Sequence, residues 1–310
     1  MDGRGRDVAR MLRGGIIRPA GGRRAPSLGR TGLGAVMSAL LLTLLATPGQ
    51  ASEATNAVRS AVPLGGYLPP HNPPKDVWPK PEYSFSPFST IVTVVPPCWR
   101  ETSGGFVAQP SAPKCVSDEV AATDNAHKGE HIGPIALPHD FAKLTAAEQL
   151  FVLADIERVS RGEPPVLGLS RTLDHFAQLG AEARADPTYP GGLPGATGGW
   201  AANWAGGVNA LDSNYEWMYT DGWDGKHTFN YDCTSPKAPG CWGHRDNILL
   251  NSSRLPCYEA SCSLVMGGGY VKRGAGNGYS SFSELFVQVS GTVPALYYTW
   301  ADALKAGAKP

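Results

Sequence analysis

The sequence predicts an α+β fold for its second half. Three segments with apolar residues at helical spacing come first, between residues 145 and 220, and two strand-like segments follow, between residues 263 and 289. Because the helices are grouped before the strands instead of alternating with them, we expect an α+β sandwich rather than a parallel βαβ arrangement.

Each predicted helix has its own start or stop signal. The first opens with a capping box at residues 145–148, in which a Thr and a Glu side chain bind each other's backbone amides, and it ends near Gly162. Ser170 is the expected cap of the second helix, and Asp186-Pro187 ends that helix. The third helix is predicted from Asn209 to Thr220.

The strand-like segments that close the predicted domain are residues 263–271 and 283–289. Between the second and third helices, a glycine-rich loop is expected from Pro190 to Gly199. The two strands therefore follow all three helices in the chain, with only loops expected elsewhere in the domain.

The N-terminal segment, residues 1–51, has the order of a secretory signal. A basic flank precedes a short apolar run from Leu33 to Ala46, and a small-residue exit follows at residues 47–51. The run of about fourteen residues is shorter than the roughly twenty that cross a bilayer as a helix. We expect export with cleavage after Ala51; the alternative is an uncleaved anchor, in which case this segment is the contact with the membrane.

Residues 52–143 are predicted to form an irregular, proline-rich extension. Proline-rich runs at residues 68–74 and 77–81 favour extended backbone and exclude helices. A strand-like run at residues 89–95 leads into Cys98. We therefore expect a linker that carries a small element closed by a disulfide.

One motif inside the extension matches a metal-site spacing. His127, Glu130 and His131 follow the H-x-x-E-H pattern of inverted zinc peptidases, which needs both histidines on one face of a helix. Gly129 and Gly133-Pro134 are expected to break such a helix. We therefore predict a solvated loop here instead of a zinc site.

All six cysteines lie beyond the predicted cleavage point. An even number of cysteines in an exported chain predicts disulfides, although several connectivities are open. None of the cysteines has the C-x-x-C spacing of a zinc ribbon, so disulfides are preferred to a metal site. The pairs favoured by proximity in the sequence are Cys98–Cys115, Cys233–Cys241 and Cys257–Cys262.

The charge balance limits the class of partner. The chain has 27 basic and 27 acidic residues, and basic residues outnumber acidic ones in the predicted signal segment. The exported part is therefore mildly acidic and offers no basic face, which excludes nucleic acid as its partner.

The segment from Cys241 to Leu249 reads Cys-Trp-Gly-His-Arg-Asp-Asn-Ile-Leu. It resembles the Gly-His-x-x-Asn-Ile-Leu signature of the CAP superfamily, also called the SCP domain. Weaker resemblances follow the family's order at Ile156–Leu167, Ala202–Gly207, Tyr215–Trp217, Met266–Tyr270 and Phe282–Val289. The resemblance covers about residues 144–291 and leaves residues 292–310 as a tail. It implies a three-layer α-β-α sandwich with an antiparallel sheet.

The resemblance also implies a cleft, which in the family gathers two histidines and two acidic residues and in some members binds a divalent metal. The signature histidine is His244, the position of one family glutamate holds Ala202, and no histidine lies between residues 186 and 201. The candidate cleft residues are His244, Asp221, Glu216, Asn203, Arg245 and Trp217. A catalytic zinc needs three protein ligands, so we expect no metal cofactor, with His244 as the one candidate ligand for zinc.

These features predict a secreted, non-catalytic binding module at the cell envelope or outside it. Its ligand would be an apolar small molecule, a glycan or an envelope protein, because aromatic residues lie near His244 in the sequence, at Trp200, Trp204, Trp217, Tyr219, Trp223 and Trp242. Each of these aromatic residues is also a candidate for the core. Three alternatives stay open. His244 serves only to hydrogen-bond a buried turn, the protein is a metal-dependent hydrolase acting on peptide or cell-wall substrates, or the proline-rich extension tethers the domain, as a spacer, to a wall polymer or a partner.

Overall fold

The computed structural model describes residues 98–102, 105–223, 230, 233–238, 240–250, 262–272 and 279–310. The predicted signal segment, the proline-rich runs and the strand-like run at residues 89–95 lie outside the described residues. Within the described part of the chain, no helix combines the length and the apolar character needed to cross a membrane.

A five-stranded sheet forms the centre of the fold, in the order β4-β6-β5-β3-β7. Its strands are β3 (Gly168–Leu169), β4 (Ala196–Gly207), β5 (Ser263–Val271), β6 (Ser280–Val289) and β7 (Tyr298–Thr299). The three long strands are antiparallel, as expected, but β3 pairs with β5 in parallel. The sheet is therefore mixed, and its parallel strand is a segment of two residues between two helices.

Strand β4 occupies part of the segment predicted as a glycine-rich loop. It pairs with β6 along most of its length, with a register irregularity between Ala196 and Trp200. Gly198 lies inside this irregularity and has a φ of 95°, a conformation that favours glycine. The run of Gly and Ala gives no strand signal in the sequence, and the pairing with β6 outweighs that weak propensity.

The three predicted helices are confirmed as α2 (Ala146–Val159), α3 (Arg171–Ala183) and α4 (Ala210–Tyr219). Thr145 and Glu148 form the predicted capping box, and Asn209 caps α4 by accepting a hydrogen bond from the Asp212 amide at 2.9 Å. Ser170 precedes α3, but among the described residues its side chain accepts no capping hydrogen bond.

Helices cover both faces of the sheet, which gives three layers. Three consecutive glycines of β5 allow the close approach, because their missing side chains alternate between the two faces. A Cβ on Gly267 or Gly269 would overlap the backbone of α3, and a Cβ on Gly268 would meet Ala147 of α2. The α+β fold predicted from the sequence is therefore confirmed.

Part of the extension is regular, contrary to the prediction. Residues Pro113–Gly129 form helix α1, and β1 (Trp99–Thr102) pairs with β2 (Gly105–Ala108) in a hairpin before it. Pro113 stands in the first turn of α1, where the missing amide hydrogen costs no helical hydrogen bond. The prolines that suggested irregular backbone thus lie before the helix or at its start.

The C-terminal tail also belongs to the fold. After β7, Thr299 and Asp302 form a capping box for a short helix, α6 (Trp300–Lys305). Trp300 and Ala303 are buried in the main core. The structured region therefore extends beyond residue 291.

Two of the three predicted disulfides, Cys98–Cys115 and Cys233–Cys241, are confirmed. Cys262 is also disulfide-bonded. Its expected partner, Cys257, lies outside the described residues, so the third pairing stays a prediction.

Candidate functional site

The candidate site is centred on His244, the second residue of the short helix α5 (Gly243–Leu249). Its backbone amide donates to Asp221 Oδ2 at 2.8 Å, and its ring Nδ1 lies 2.6 Å from Asp221 Oδ1. Asp221 follows the end of α4, so both oxygens of one carboxylate hold the start of α5 against α4. This double contact fixes the orientation of the imidazole ring.

The other edge of the ring faces Asp186. His244 Nε2 lies 3.9 Å from Asp186 Oδ1, which is beyond hydrogen-bond distance. The side chains of His244 and Asp186 are 20% and 26% exposed. Asp186 lies between α3 and β4, so the site forms where that connection meets α5. The arrangement places a ring nitrogen of His244 and a carboxylate oxygen of Asp186 on facing sides of the site.

The surrounding charges decide the protonation state of His244. Burial alone would lower its pKa, but the charge and hydrogen bond of Asp221, with further contributions from Asp186 and Glu284, raise the pKa of His244 to about 9. At neutral pH the ring is therefore an imidazolium, which donates hydrogen bonds from both nitrogens. It is not available as a base or as a metal ligand in that state.

A layer of amides lies beneath His244. Asn203 Nδ2 donates both to the carbonyl oxygen of His244, at 3.1 Å, and to Glu284 Oε1, at 2.7 Å. Asn247 in turn donates to Asn203 Oδ1 and to the carbonyl oxygen of Ala202, both at 3.0 Å. Asn203 and Glu284 are opposite each other on β4 and β6, so the sheet register positions both groups under α5.

Glu284 is fully buried in this layer. Burial raises the pKa of Glu284 to about 8, although the hydrogen bond from Asn203 and the charge of His244 act in the opposite direction. Among the described residues, no group forms a hydrogen bond with its Oε2. The carboxyl is therefore mostly protonated at neutral pH, and it places a neutral acid close to the imidazolium.

Asn230 also holds Asp221 in place. Its Nδ2 donates to the carbonyl oxygen of Asp221 at 3.0 Å, to Asp221 Oδ1 at 2.8 Å and to the carbonyl oxygen of Gly240 at 2.8 Å. The amide of Trp242 also donates to the Asp221 carbonyl, at 3.1 Å. These hydrogen bonds hold Asp221 in the position from which it orients the His244 ring.

The structure brings together three of the six predicted cleft residues: His244, Asp221 and Asn203. Trp217 is instead a core residue, because it lies on the buried face of α4. Glu216 lies near Asp212 and Tyr279, whose carboxyl and hydroxyl interact with it electrostatically, and makes no contact with His244 in the described part of the chain.

Arg245 points away from the cleft into a buried ionic cluster. Its guanidinium donates to the carbonyl oxygen of Met218 at 2.8 Å and to Glu130 Oε2 at 2.7 Å. Glu130 also pairs with Arg161, which in turn pairs with Glu157. The members of this buried ionic cluster are His127, Glu130, Glu157, Arg161, Tyr219 and Arg245.

The H-x-x-E-H segment belongs to that cluster, and the predicted solvated loop is wrong for its first residues. His127 lies in the last turn of α1, is fully buried, and contacts Glu157 Oε2 at 3.0 Å. His131 is exposed, and its φ of 62° places it outside the helix. Because Gly129 ends the helix after His127 instead of preventing it, the two histidines share no helical face, and the arrangement of a zinc peptidase does not form.

The tryptophans are distributed over both sides of the sheet. Trp204 follows Asn203 on β4 and so points to the opposite face, where its Nε1 donates to Ser281 Oγ at 2.7 Å. Trp200 packs against the core on that same face. Trp242 lies next to the site, since its ring contacts the backbone at Gly222. Among the described residues, the groups that contact His244 are consequently polar, and Trp242 lies at their side.

Within the described ranges, one group of three side chains has ligand atoms close enough to share a metal ion. It consists of Cys98, Cys115 and Glu119, and its two sulfurs are joined in a disulfide. His244 belongs to no such group there. The potential metal ligands at the site are His244 itself and acidic side chains that already interact with it.

A scan against protein-family models and searches of the curated proteins and of the solved structures find no match to this chain. The resemblance to the CAP superfamily therefore stays a prediction from sequence motifs.

Proposed function

We propose that the protein is an exported, non-catalytic binding module whose site at His244 takes a hydroxyl-rich ligand, with glycans as the principal class. The observation that carries this proposal is the pair formed by His244 Nε2 and Asp186 Oδ1, 3.9 Å apart and partly exposed. A hydroxyl group placed between them accepts a hydrogen bond from the imidazolium and donates one to the carboxylate.

The polar character of the site favours a glycan over an apolar ligand. Trp200 and Trp204 are on the far face of the sheet and Trp217 is in the core, so an extended aromatic lining does not face His244. One tryptophan beside carboxylates and amides is the composition of a site for a sugar ring.

The protonation state of His244 favours binding over catalysis. A general base must be neutral at the working pH, and a pKa of about 9 keeps the ring protonated under ordinary conditions. A metal-dependent hydrolase has less support, because the groups around His244 do not converge as three ligands.

Export is supported by the signal-like N-terminal segment and by the disulfides, which persist in oxidising compartments. The CAP resemblance points the same way, since the family's members are mostly secreted. Fractionation of cells that express the full chain tests this part of the proposal: recovery of the protein in the cytoplasm with its signal segment intact would contradict it.

Binding is tested with the full chain and soluble oligosaccharides of hexose and N-acetylhexosamine, by calorimetry at pH 7. We expect measurable binding that His244→Ala and Asp186→Asn each weaken at least tenfold. His175→Ala, a change at an exposed histidine of α3, is the matched control and should leave the affinity unchanged.

Two results would overturn the proposal. One is an affinity for oligosaccharides that is the same in the wild type and in His244→Ala. The other is stoichiometric zinc in the purified wild type that disappears in His244→Ala, which would favour the metal-dependent hydrolase instead.

A further inference from the structure

The Cys233–Cys241 disulfide lies beside the candidate site in both sequence and space. Cys241 precedes His244 by three residues, and Cys233 follows Asn230 by three residues. The disulfide therefore closes the segment that connects the residue holding Asp221 to the residue that Asp221 orients.

Hydrogen bonds link the segment closed by the disulfide to the site. The amide of Cys233 donates to the carbonyl oxygen of Asn230 at 3.1 Å, and Asn230 donates to both Asp221 and Gly240. Next to Cys241, the Trp242 amide donates to the carbonyl oxygen of Asp221. Both ends of the disulfide are thus one or two hydrogen bonds away from the carboxylate that fixes His244.

The two confirmed disulfides differ in their access to solvent. Cys98 and Cys115 are both buried, at 6% and 0% exposure. Cys233 is buried as well, but Cys241 is partly exposed, and residues 234–237 beside it are exposed. A thiol in solution can therefore approach the sulfur of Cys241 more readily than those of the Cys98–Cys115 bond.

We propose that the Cys233–Cys241 disulfide is a redox switch that regulates the His244 site, an inference that rests on the proposed binding function. A dithiol reductant attacks Cys241 Sγ as a thiolate, the Cys233–Cys241 bond breaks, and Cys233 leaves as a thiolate that takes a proton. The second thiolate of the reductant then displaces Cys241, which also takes a proton. Two electrons and two protons pass to the protein, and the reductant ends as its own disulfide.

Reduction acts on binding through the position of Asp221. The opened segment regains conformational freedom, and Asn230 and Trp242 lose the closure that keeps them against Asp221. Asp221 then orients the His244 ring less firmly, and the edge that faces Asp186 is no longer fixed. Binding of a hydroxyl group between the two side chains weakens as a result.

The first test is amide hydrogen exchange of the full chain, measured by NMR in the wild type and in Cys233→Ser/Cys241→Ser. We expect the amides of Trp242 and His244 to exchange at least tenfold faster in the double variant, with the β5 and β6 amides unchanged. Cys98→Ser/Cys115→Ser is the matched control and should leave the Trp242 and His244 amides as in the wild type. Unchanged exchange at both amides in the first variant would overturn the proposal.

A second test avoids variants that fold poorly. The wild type is titrated with a dithiol, and the freed cysteines are alkylated and located by mass spectrometry. Alkylation of Cys233 and Cys241 at lower dithiol concentration than Cys98 and Cys115 supports the switch, and the reverse order overturns it.

Affinity for an N-acetylhexosamine oligosaccharide, measured before reduction, after it and after reoxidation, separates the two proposals. A reversible loss of at least fivefold supports both. Faster exchange without oligosaccharide binding in either redox state contradicts the proposed function while the effect of the disulfide on the site stands.

Discussion

Two regions of the molecule pair a histidine with a carboxylate, and they differ in what surrounds one nitrogen of the imidazole ring. In the buried ionic cluster, His127 Nδ1 lies 2.9 Å from the carbonyl oxygen of Gly133 and its Nε2 lies 3.0 Å from Glu157. At the candidate site, His244 is held by Asp221 through Nδ1, while its Nε2 lies 3.9 Å from Asp186 and its side chain is 20% exposed. The same residue types thus form a fully buried network at His127 and a partly exposed pair at His244.

The comparison also separates two electrostatic environments. Although burial acts in the opposite direction, the charges of His127 and Arg161 lower the pKa of Glu157, so this carboxylate stays ionised at the centre of the buried ionic cluster. Glu284, with a single amide donor, has a raised pKa instead. The positive charges beside each carboxyl, rather than its depth, decide whether it is ionised.

The largest expected effect comes from breaking the buried ionic cluster. Glu157→Gln removes the charge that His127 and Arg161 share, so the free energy of unfolding should fall by about 3–5 kcal/mol. Urea denaturation at pH 7 measures the loss. His244→Ala is the comparison variant and should lose less, since its site is partly exposed. Equal losses for the two variants would contradict the division into a structural and a functional histidine.

The next effect concerns the pH dependence of stability. The pKa of Glu284 is raised from 4.5 to about 8, so the folded state binds a proton more tightly than the unfolded state does. Its contribution is fully present below pH 4.5 and is lost as the pH rises through 8. Glu284→Gln cannot ionise, so it should match the wild type near pH 5.

At pH 9, the same variant should be more stable than the wild type by roughly 4–5 kcal/mol, because only the wild type loses the contribution of the protonated carboxyl. Denaturation curves of both proteins at the two pH values provide the measurement. A difference between them that does not change with pH would show that Glu284 is ionised in the fold.

A smaller effect tests the Asp221 contact. The pKa of His244 is raised to about 9, so its contribution to stability is present below pH 6.5 and is lost as the pH rises through 9. Asp221→Asn should lower the pKa of His244 by at least one unit, equivalent to about 1.4 kcal/mol. An NMR titration of the ring protons measures this shift, and an unchanged pKa would assign the raised value to other groups.

Much of the fold was predictable because its signals are local. The capping box at Thr145 fixes a helix start within four residues and is confirmed. Strand β4 was missed, since its Gly and Ala residues show no strand propensity and depend on pairing with β6. Helix α1 was missed because the prolines upstream of it dominated the interpretation of the whole extension.

The candidate site was predictable only in part, for a related reason. His244 stands in a recognisable motif, and Asp221 was a candidate through the resemblance to the CAP superfamily. Asp186 was interpreted only as part of a helix stop, because its approach to His244 depends on the path of the chain after α3. Such contacts are set by tertiary structure and leave no spacing in the sequence.

The measurement that tests the central claim most directly is an NMR titration of the full chain with an N-acetylhexosamine oligosaccharide, following the ring signals of both histidines in one sample. We expect the signals of His244 to shift with saturation while those of His127 stay constant, because the His244 side chain is partly exposed and His127 is fully buried. A shift at His127 with none at His244 would contradict the assignment of the binding site, as would binding that leaves both rings unchanged.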